Sequence, residues 1–111
     1  STGSTAYSLS AGGPILHPTI DAIILTPINA YAFNQKPLVL PASDVITISV
    51  LARGAGQSDF ELSLTLDGQT NTRLKKGDEV TIQKHPEHVR FLRRRDRTFS
   101  MKLRDKLKWG E

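Results

Sequence analysis

The sequence contains no cysteine, which excludes disulfides and thiolate-bound metals. Its longest uninterrupted aliphatic run, Ala22-Ile23-Ile24-Leu25, is far shorter than the roughly 20 apolar residues a membrane-crossing helix requires. No basic stretch followed by an apolar core stands at the start, so a secretory leader is not expected and the cytoplasm is the expected compartment. Also missing are a Gly-Lys-Ser/Thr phosphate loop, a GxGxxG fingerprint, an internal repeat and a low-complexity linker. What is present, 111 residues with 38% hydrophobic and 23% charged positions, suits one ordinary globular domain.

The net charge of +4 is unevenly placed: residues 1–83 carry five Lys/Arg against seven Asp/Glu, whereas residues 84–111 carry ten against four. A basic C-terminal quarter can attract phosphates or nucleic acid, although most charged surface is simply solvated. The polar counterpart lies at the other end, in Thr2-Gly3-Ser4-Thr5-Ala6-Tyr7-Ser8-Leu9-Ser10-Ala11-Gly12-Gly13-Pro14-Ile15. These fourteen positions hold five Ser/Thr hydroxyls, three glycines and a tyrosine, a composition suited to a polar ligand. A helix is expected to start near Ser4 or Thr5, capped by a hydroxyl, and to stop at Gly12-Gly13-Pro14. Two readings stand together: a loop feeding an anion-attracting helix N-terminus, or a capped helix with a Gly-Gly-Pro stop.

The middle of the chain reads as short strands. Residues 45–50 alternate, with Ile46, Ile48 and Val50 on one face, which predicts a strand with one buried side. Residues 60–66 alternate without a break and meet Asp67-Gly68, a turn-forming dipeptide. Lys76-Gly77-Asp78 makes another turn before a strand over 79–83, and 89–92 gives one more extended run. Prolines at 14, 18, 27, 37 and 41 bound the apolar segments 22–25 and 38–40, predicting short strands there. A closing helix is expected over about 98–108, with Phe99, Leu103 and Leu107 as its apolar stripe and Gly110 at its end. The fold class is therefore mostly β: an antiparallel, sandwich-like domain with a short N-terminal helix and a C-terminal helix.

Other chemistry-bearing residues are few. His85 and His88 stand three apart, but Pro86 argues against a helix and no third ligand is near, so an exposed turn is favoured over a metal site. His17, before Pro18, is discounted in the same way. Arg93-Arg94-Arg95-Asp96-Arg97 could meet phosphates or RNA, yet only Phe91 and Phe99 lie close enough to stack on bases, so a solvated turn is favoured. No nucleophile, base and orienting group form a recognisable set. The residues alone describe a β-rich domain with a ligand loop, and a basic nucleic-acid-binding domain is the alternative.

Taken whole, Thr2 to Ile15 closely resembles the TGSTAYSLSAGGPI signature of bacterial NAD kinases. The resemblance continues, in the family's order, through Leu25-Thr26-Pro27-Ile28, Pro37-Leu38-Val39-Leu40-Pro41, Leu66-Asp67-Gly68-Gln69, Lys76-Gly77-Asp78 and Leu103-Arg104-Asp105-Lys106-Leu107-Lys108-Trp109-Gly110. Two positions depart from the pattern: Ser1 stands where proline is common and Lys36 where arginine is frequent. Diacylglycerol and sphingosine kinases share the architecture, but the complete signature is of the NAD kinase type.

The resemblance implies a two-domain kinase whose C-terminal domain, holding NAD and assembling subunits, is residues 1–111, with an N-terminal α/β catalytic domain outside this chain. The family's GGDGT loop, with its proposed catalytic base, is not found here, so no catalytic residue is expected and the chain alone should be inactive. The implied reaction passes a phosphoryl group from ATP or polyphosphate to the 2′-hydroxyl of the adenosine ribose of NAD. Mg2+ or another divalent cation would accompany ATP in the intact enzyme, and none is expected to bind this chain alone. By position in the motif, Thr5, Ala6, Tyr7 and Ser10 are implied to line the dinucleotide site. Asn29, Tyr31 and Asp67 fall where contacts across subunits of a homo-oligomer, a dimer or tetramer, would lie. No membrane partner is expected.

Overall fold

The computed structural model describes residues 2–28, 35–51, 62–92 and 94–111. The chain divides into two compact units: residues Ser1–Asp44 with Lys84–Glu111, and residues Val45–Gln83. The first unit is therefore discontinuous in sequence, and the second is inserted into it.

The first unit opens with a single turn of 3-10 helix, Thr2–Thr5, followed by one α-helical turn, α1, Tyr7–Ser10. The single helix expected from about residue 4 to Gly12 is thus broken at Ala6, whose φ of −101° and ψ of −135° are not helical. No side chain caps α1. The break has a physical cause: the Ser4 hydroxyl expected to cap the helix is committed to the backbone of Leu16. β1 (Ala22–Leu25) and β2 (Leu38–Pro41) then pair antiparallel, Ala22 opposite Pro41 and Leu25 opposite Leu38. The four residues of β1 are all half-buried, and Ala42 and Leu16 are the buried hydrophobic residues among those described.

The last element of this unit, α2, spans Phe99–Leu107. Thr98 begins it by accepting a hydrogen bond at its hydroxyl from the amide of Met101 (3.3 Å), which satisfies one of the unpaired first-turn donors. Its end is set at Lys108, in the left-handed region at φ 52°, whose amide donates to the Arg104 carbonyl. The expected stripe of Phe99, Leu103 and Leu107 is half-buried, while Met101 on the other side is exposed. The Phe99 and His17 rings pack edge to face with their centroids 4.8 Å apart, joining the two segments of this unit.

The second unit holds two antiparallel pairs. β3 (Ile46–Ser49) pairs with β6 (Glu79–Ile82), Ile46 opposite Ile82, and reciprocal bonds between Val50 and the Gly77-Asp78 turn extend the ladder. β4 (Leu62–Leu66) and β5 (Thr70–Leu74) form a hairpin closed at Asp67-Gly68, where both residues have positive φ (50° and 68°) and Gln69 N–H donates to Leu66 O. The strand β5 is absent from the sequence reading because Thr70-Asn71-Thr72-Arg73 has no apolar alternation; the Asp-Gly turn after β4 was its one signal. Conversely, residues 89–92 form no ladder, and Val89, Phe91 and Leu92 are largely exposed. An alternating pattern makes a strand only where a neighbour accepts its hydrogen bonds. Ile46 and Val50 are half-buried as expected, but Ile48 is 40% exposed, so the buried side of β3 is incomplete.

Mostly antiparallel β structure with a short helix near each end is thus what the chain adopts. None of the described helices is long and apolar enough to cross a membrane. Within the first unit, Lys84 Nζ donates to both carboxylate oxygens of Asp21 at 2.7 Å, tying the residue before β1 to the residue where the chain returns from the insertion. That hydrogen bond, reinforced by the ammonium charge and only partly opposed by desolvation, holds the Asp21 carboxyl below its ordinary value. A carboxyl with a lowered folded value stabilises fully above its unfolded value of about 4, and loses that contribution as pH falls through the folded value. Asp21→Asn should therefore lower the melting temperature slightly at pH 7, with the difference from the parent shrinking as pH drops below about 4. Circular-dichroism melts at pH 7 and pH 3 measure this; a difference that grows on acidification would refute the pairing.

Candidate dinucleotide site

The N-terminal motif sorts its small polar residues onto two sides. Ser4 is 3% exposed, and its hydroxyl accepts from the Leu16 amide (3.0 Å) and donates to the Leu16 carbonyl (3.4 Å). One buried side chain thus satisfies both backbone groups of a residue twelve positions on, as a strand neighbour would. Half-buried Ser8 shares a hydrogen bond with the Thr26 hydroxyl at 2.9 Å. Gly13 is buried behind it, and its amide donates to the Ser8 carbonyl at 2.7 Å. A Cβ at Gly13 would lie 2.8 Å from both that carbonyl and Thr26 Oγ1, and closer still to Ser8 Oγ.

The other side is open. Ala6 and Ser10 are exposed and Tyr7 is 71% exposed, with neither hydroxyl bonded to a described residue. Thr5 is half-buried. Of the residues implied to contact the dinucleotide, Ala6, Tyr7 and Ser10 therefore share one short exposed stretch, and Thr5 borders it. The ring face and phenol of Tyr7 offer stacking and a hydrogen bond together. The anion-attracting helix terminus is a different matter: α1 is a single turn, and a macrodipole needs a longer run of aligned peptides, so this feature is not available.

Thr5 also lines a cleft of about 200 Å³ within the first unit, whose apolar floor includes Leu16, Phe99, Leu103 and Leu107 and whose rim carries Arg97, Lys102 and Lys106. Arg97 is already engaged with Asp105 at 3.1 Å. The half-buried stripe on α2 thus forms part of this floor.

The remaining candidates sort as follows. Asn29, Tyr31 and Arg93 lie outside the described residues. Asp67 is exposed in the hairpin loop, and its left-handed backbone gives it a turn-forming role. His85 Nδ1 accepts from the Glu87 amide (3.1 Å) and His17 Nδ1 from the Thr19 amide (3.3 Å), so both imidazoles organise local turns. Among the described residues no three His, Asp or Glu side chains converge on a possible metal. Two of the arginines in the basic run are paired, Arg94 with Asp96 and Arg97 with Asp105, which reduces the field available to a nucleic acid. The contacts that the sequence did not reveal are Ser4 to Leu16 and Ser8 to Thr26. Their distant partners left no local trace in the sequence.

Residues 1–94 match the model of the ATP-NAD kinase C-terminal domain, and the chain belongs to that family. It is 44% identical over 110 residues to an NAD kinase of Koribacter versatilis (strain Ellin345), covering 99% of this chain and 36% of the relative. An NAD kinase of Geotalea daltonii is 41% identical over 110 residues, covering 99% and 37% respectively. Among solved structures, yeast NADH kinase complexed with NADH superposes with a TM-score of 0.85 at 29% identity, covering 98% of this chain and 33% of that one. The chain thus spans about a third of the length of these relatives.

The packing behind Ser8 makes a direct prediction. Gly13→Ala should destabilise the chain by about 1–3 kcal/mol, because the added methyl meets backbone and hydroxyl groups that have nowhere to go. Gly3→Ala, with nothing within 4 Å of the added carbon, is the control and should stay within about 0.5 kcal/mol. Urea unfolding of both variants decides it; equal stability would show that the lock behind Ser8 is loose.

Proposed function

We propose that this chain is the dinucleotide-holding part of an NAD kinase. The intact enzyme transfers a phosphoryl group from ATP or polyphosphate to the 2′-hydroxyl of the adenosine ribose of NAD, giving NADP. The observation that carries this reading is the division of the family motif: Ser4, Ser8 and Gly13 face inward and anchor it, while Ala6, Tyr7 and Ser10 are offered outward on one turn. The NADH bound by the yeast relative supports a dinucleotide as the ligand.

In this reading the chain contributes positioning. Tyr7 supplies ring surface and a phenolic hydroxyl, Ser10 a second hydroxyl, Ala6 a close approach and Thr5 the border of the site. Holding the ribose in line with the phosphoryl donor removes much of the entropic cost of bringing two ligands together. Phosphoryl transfer is governed by such positioning and by charge stabilisation, and the base on the ribose hydroxyl comes from outside this chain. A divalent cation travelling with ATP belongs to the proposal, but the described residues do not fit a metal site and no step is assigned to one here.

Homo-oligomerisation, with Asp67 and the segment holding Asn29 and Tyr31 at subunit contacts, is part of the same proposal, as is a cytoplasmic location. Support comes from the large apolar side chains left open, including Leu38 and Val39 on β2 and Leu62 and Leu66 on the hairpin.

Two outcomes are expected. The chain alone should make no NADP from NAD and ATP, and activity should appear once it is joined to the part of the Koribacter versatilis relative that it does not span; turnover by the chain alone would overturn the assignment. In that joined enzyme, Tyr7→Ala should raise the KM for NAD roughly fivefold to tenfold and leave that for ATP nearly unchanged, from loss of one aromatic contact. Steady-state kinetics with each substrate varied in turn measure it, and equal rises in both constants would remove Tyr7 from the dinucleotide site.

A further inference from the structure

We infer that Thr26 is a positioning residue for the dinucleotide-facing turn: through its hydrogen bond to Ser8, it fixes how α1 presents Tyr7 and Ser10. This rests on the function proposed above. A single helical turn does not hold its own shape in water, since nucleation costs more than one turn returns. The orientation of α1 must therefore be imposed from outside.

Two anchors impose it. On the N-terminal side Ser4 is bonded to the backbone of Leu16, and on the other Ser8 Oγ meets Thr26 Oγ1 at 2.9 Å. Thr26 is itself well placed to act as a post. It directly follows β1, whose last residue Leu25 is laddered to Leu38, and it precedes Pro27, which restricts the backbone before it. The rigidity of the β1–β2 ladder is thus carried by one hydroxyl pair into the turn that bears Tyr7. Gly13 completes the arrangement: lacking a side chain, it lets the Ser8 and Thr26 hydroxyls close on each other and clamps the Ser8 carbonyl with its amide. Thr26 is only half-buried, and its side-chain hydrogen bond goes to Ser8 rather than to a residue assigned to the ligand, so its effect passes through Ser8.

The test separates this from a general stabilising role. In the joined enzyme, Thr26→Val keeps the branched shape and removes only the hydroxyl. It should raise the KM for NAD about fivefold, with kcat and the KM for ATP changed by less than about twofold. Thr26→Ser should restore the parent value, and Thr26→Val combined with Ser8→Ala should be no worse than either alone. An unchanged KM for NAD, equal rises for both substrates, or failure of the serine variant to rescue would each overturn the inference. Amide hydrogen exchange on the joined enzyme provides a readout independent of activity. Thr26→Val should speed exchange at Ala11, Gly12 and Gly13 and leave the β4–β5 hairpin untouched. Unchanged exchange at those amides overturns the lock whatever the kinetics. If the parent joined enzyme makes no NADP, the NAD kinase reading fails, and exchange alone then decides whether the lock exists.

Discussion

The buried hydroxyl of Ser4, bonded to both the amide and the carbonyl of Leu16, is the interaction on which the rest of the N-terminal motif depends. A stretch made of serine, threonine, glycine and alanine has little apolar surface to bury, so the hydrophobic effect cannot hold it in place. Hydrogen bonds to distant backbone and side-chain groups substitute for burial: Ser4 to Leu16, Ser8 to Thr26, Gly13 to Ser8. Each is tolerable in a partly buried setting because the donor and acceptor find each other. The same residue types then serve opposite purposes a few positions apart. Those turned inward are spent on anchorage, and those turned outward, Tyr7 and Ser10, keep their hydroxyls free of described partners.

The apolar side of the ledger is thin. Leu16 and Ala42 are the buried hydrophobic residues among those described, while Val89, Phe91, Leu92 and the leucines at the ends of β4 remain open. A two-stranded ladder standing alone is marginal in water, and β1, half-buried along its whole length, does not stand alone. Open apolar side chains in this number mark surfaces suited to contact with other groups.

How much of this was legible in the sequence follows from how local each signal is. Strands β3, β4 and β6 were visible in their alternation, and β1 and β2 in the prolines around them, because side-chain period and proline chemistry act within a few residues. The same holds for α2, whose apolar stripe stands within one short window. The failures are failures of range. Residues 89–92 carry a strand pattern without a strand, because pairing requires a neighbour that alternation does not name. The break at Ala6 came from Ser4 being claimed by a residue far along the chain. Strand β5 escaped because polar residues can fill a ladder when the turn before them dictates it. For the site, the resemblance of the motif as a whole pointed to Thr5, Ala6, Tyr7 and Ser10, of which Ala6, Tyr7 and Ser10 are exposed and Thr5 is half-buried. Which of its hydroxyls were anchors could not be read, since Leu16 and Thr26 become neighbours only after folding.

The discontinuity of the first unit bears on how the molecule is made. Its two segments, up to Asp44 and from Lys84 onward, are separated in the chain by the whole of the inserted unit. Asp21 therefore waits for Lys84, and His17 for Phe99, until the inserted unit has been made. The inserted unit, closed by its own hairpin and by the β3–β6 ladder, can organise while the ribosome is still at work. The first unit is thus begun before the inserted unit is translated and closed only after it.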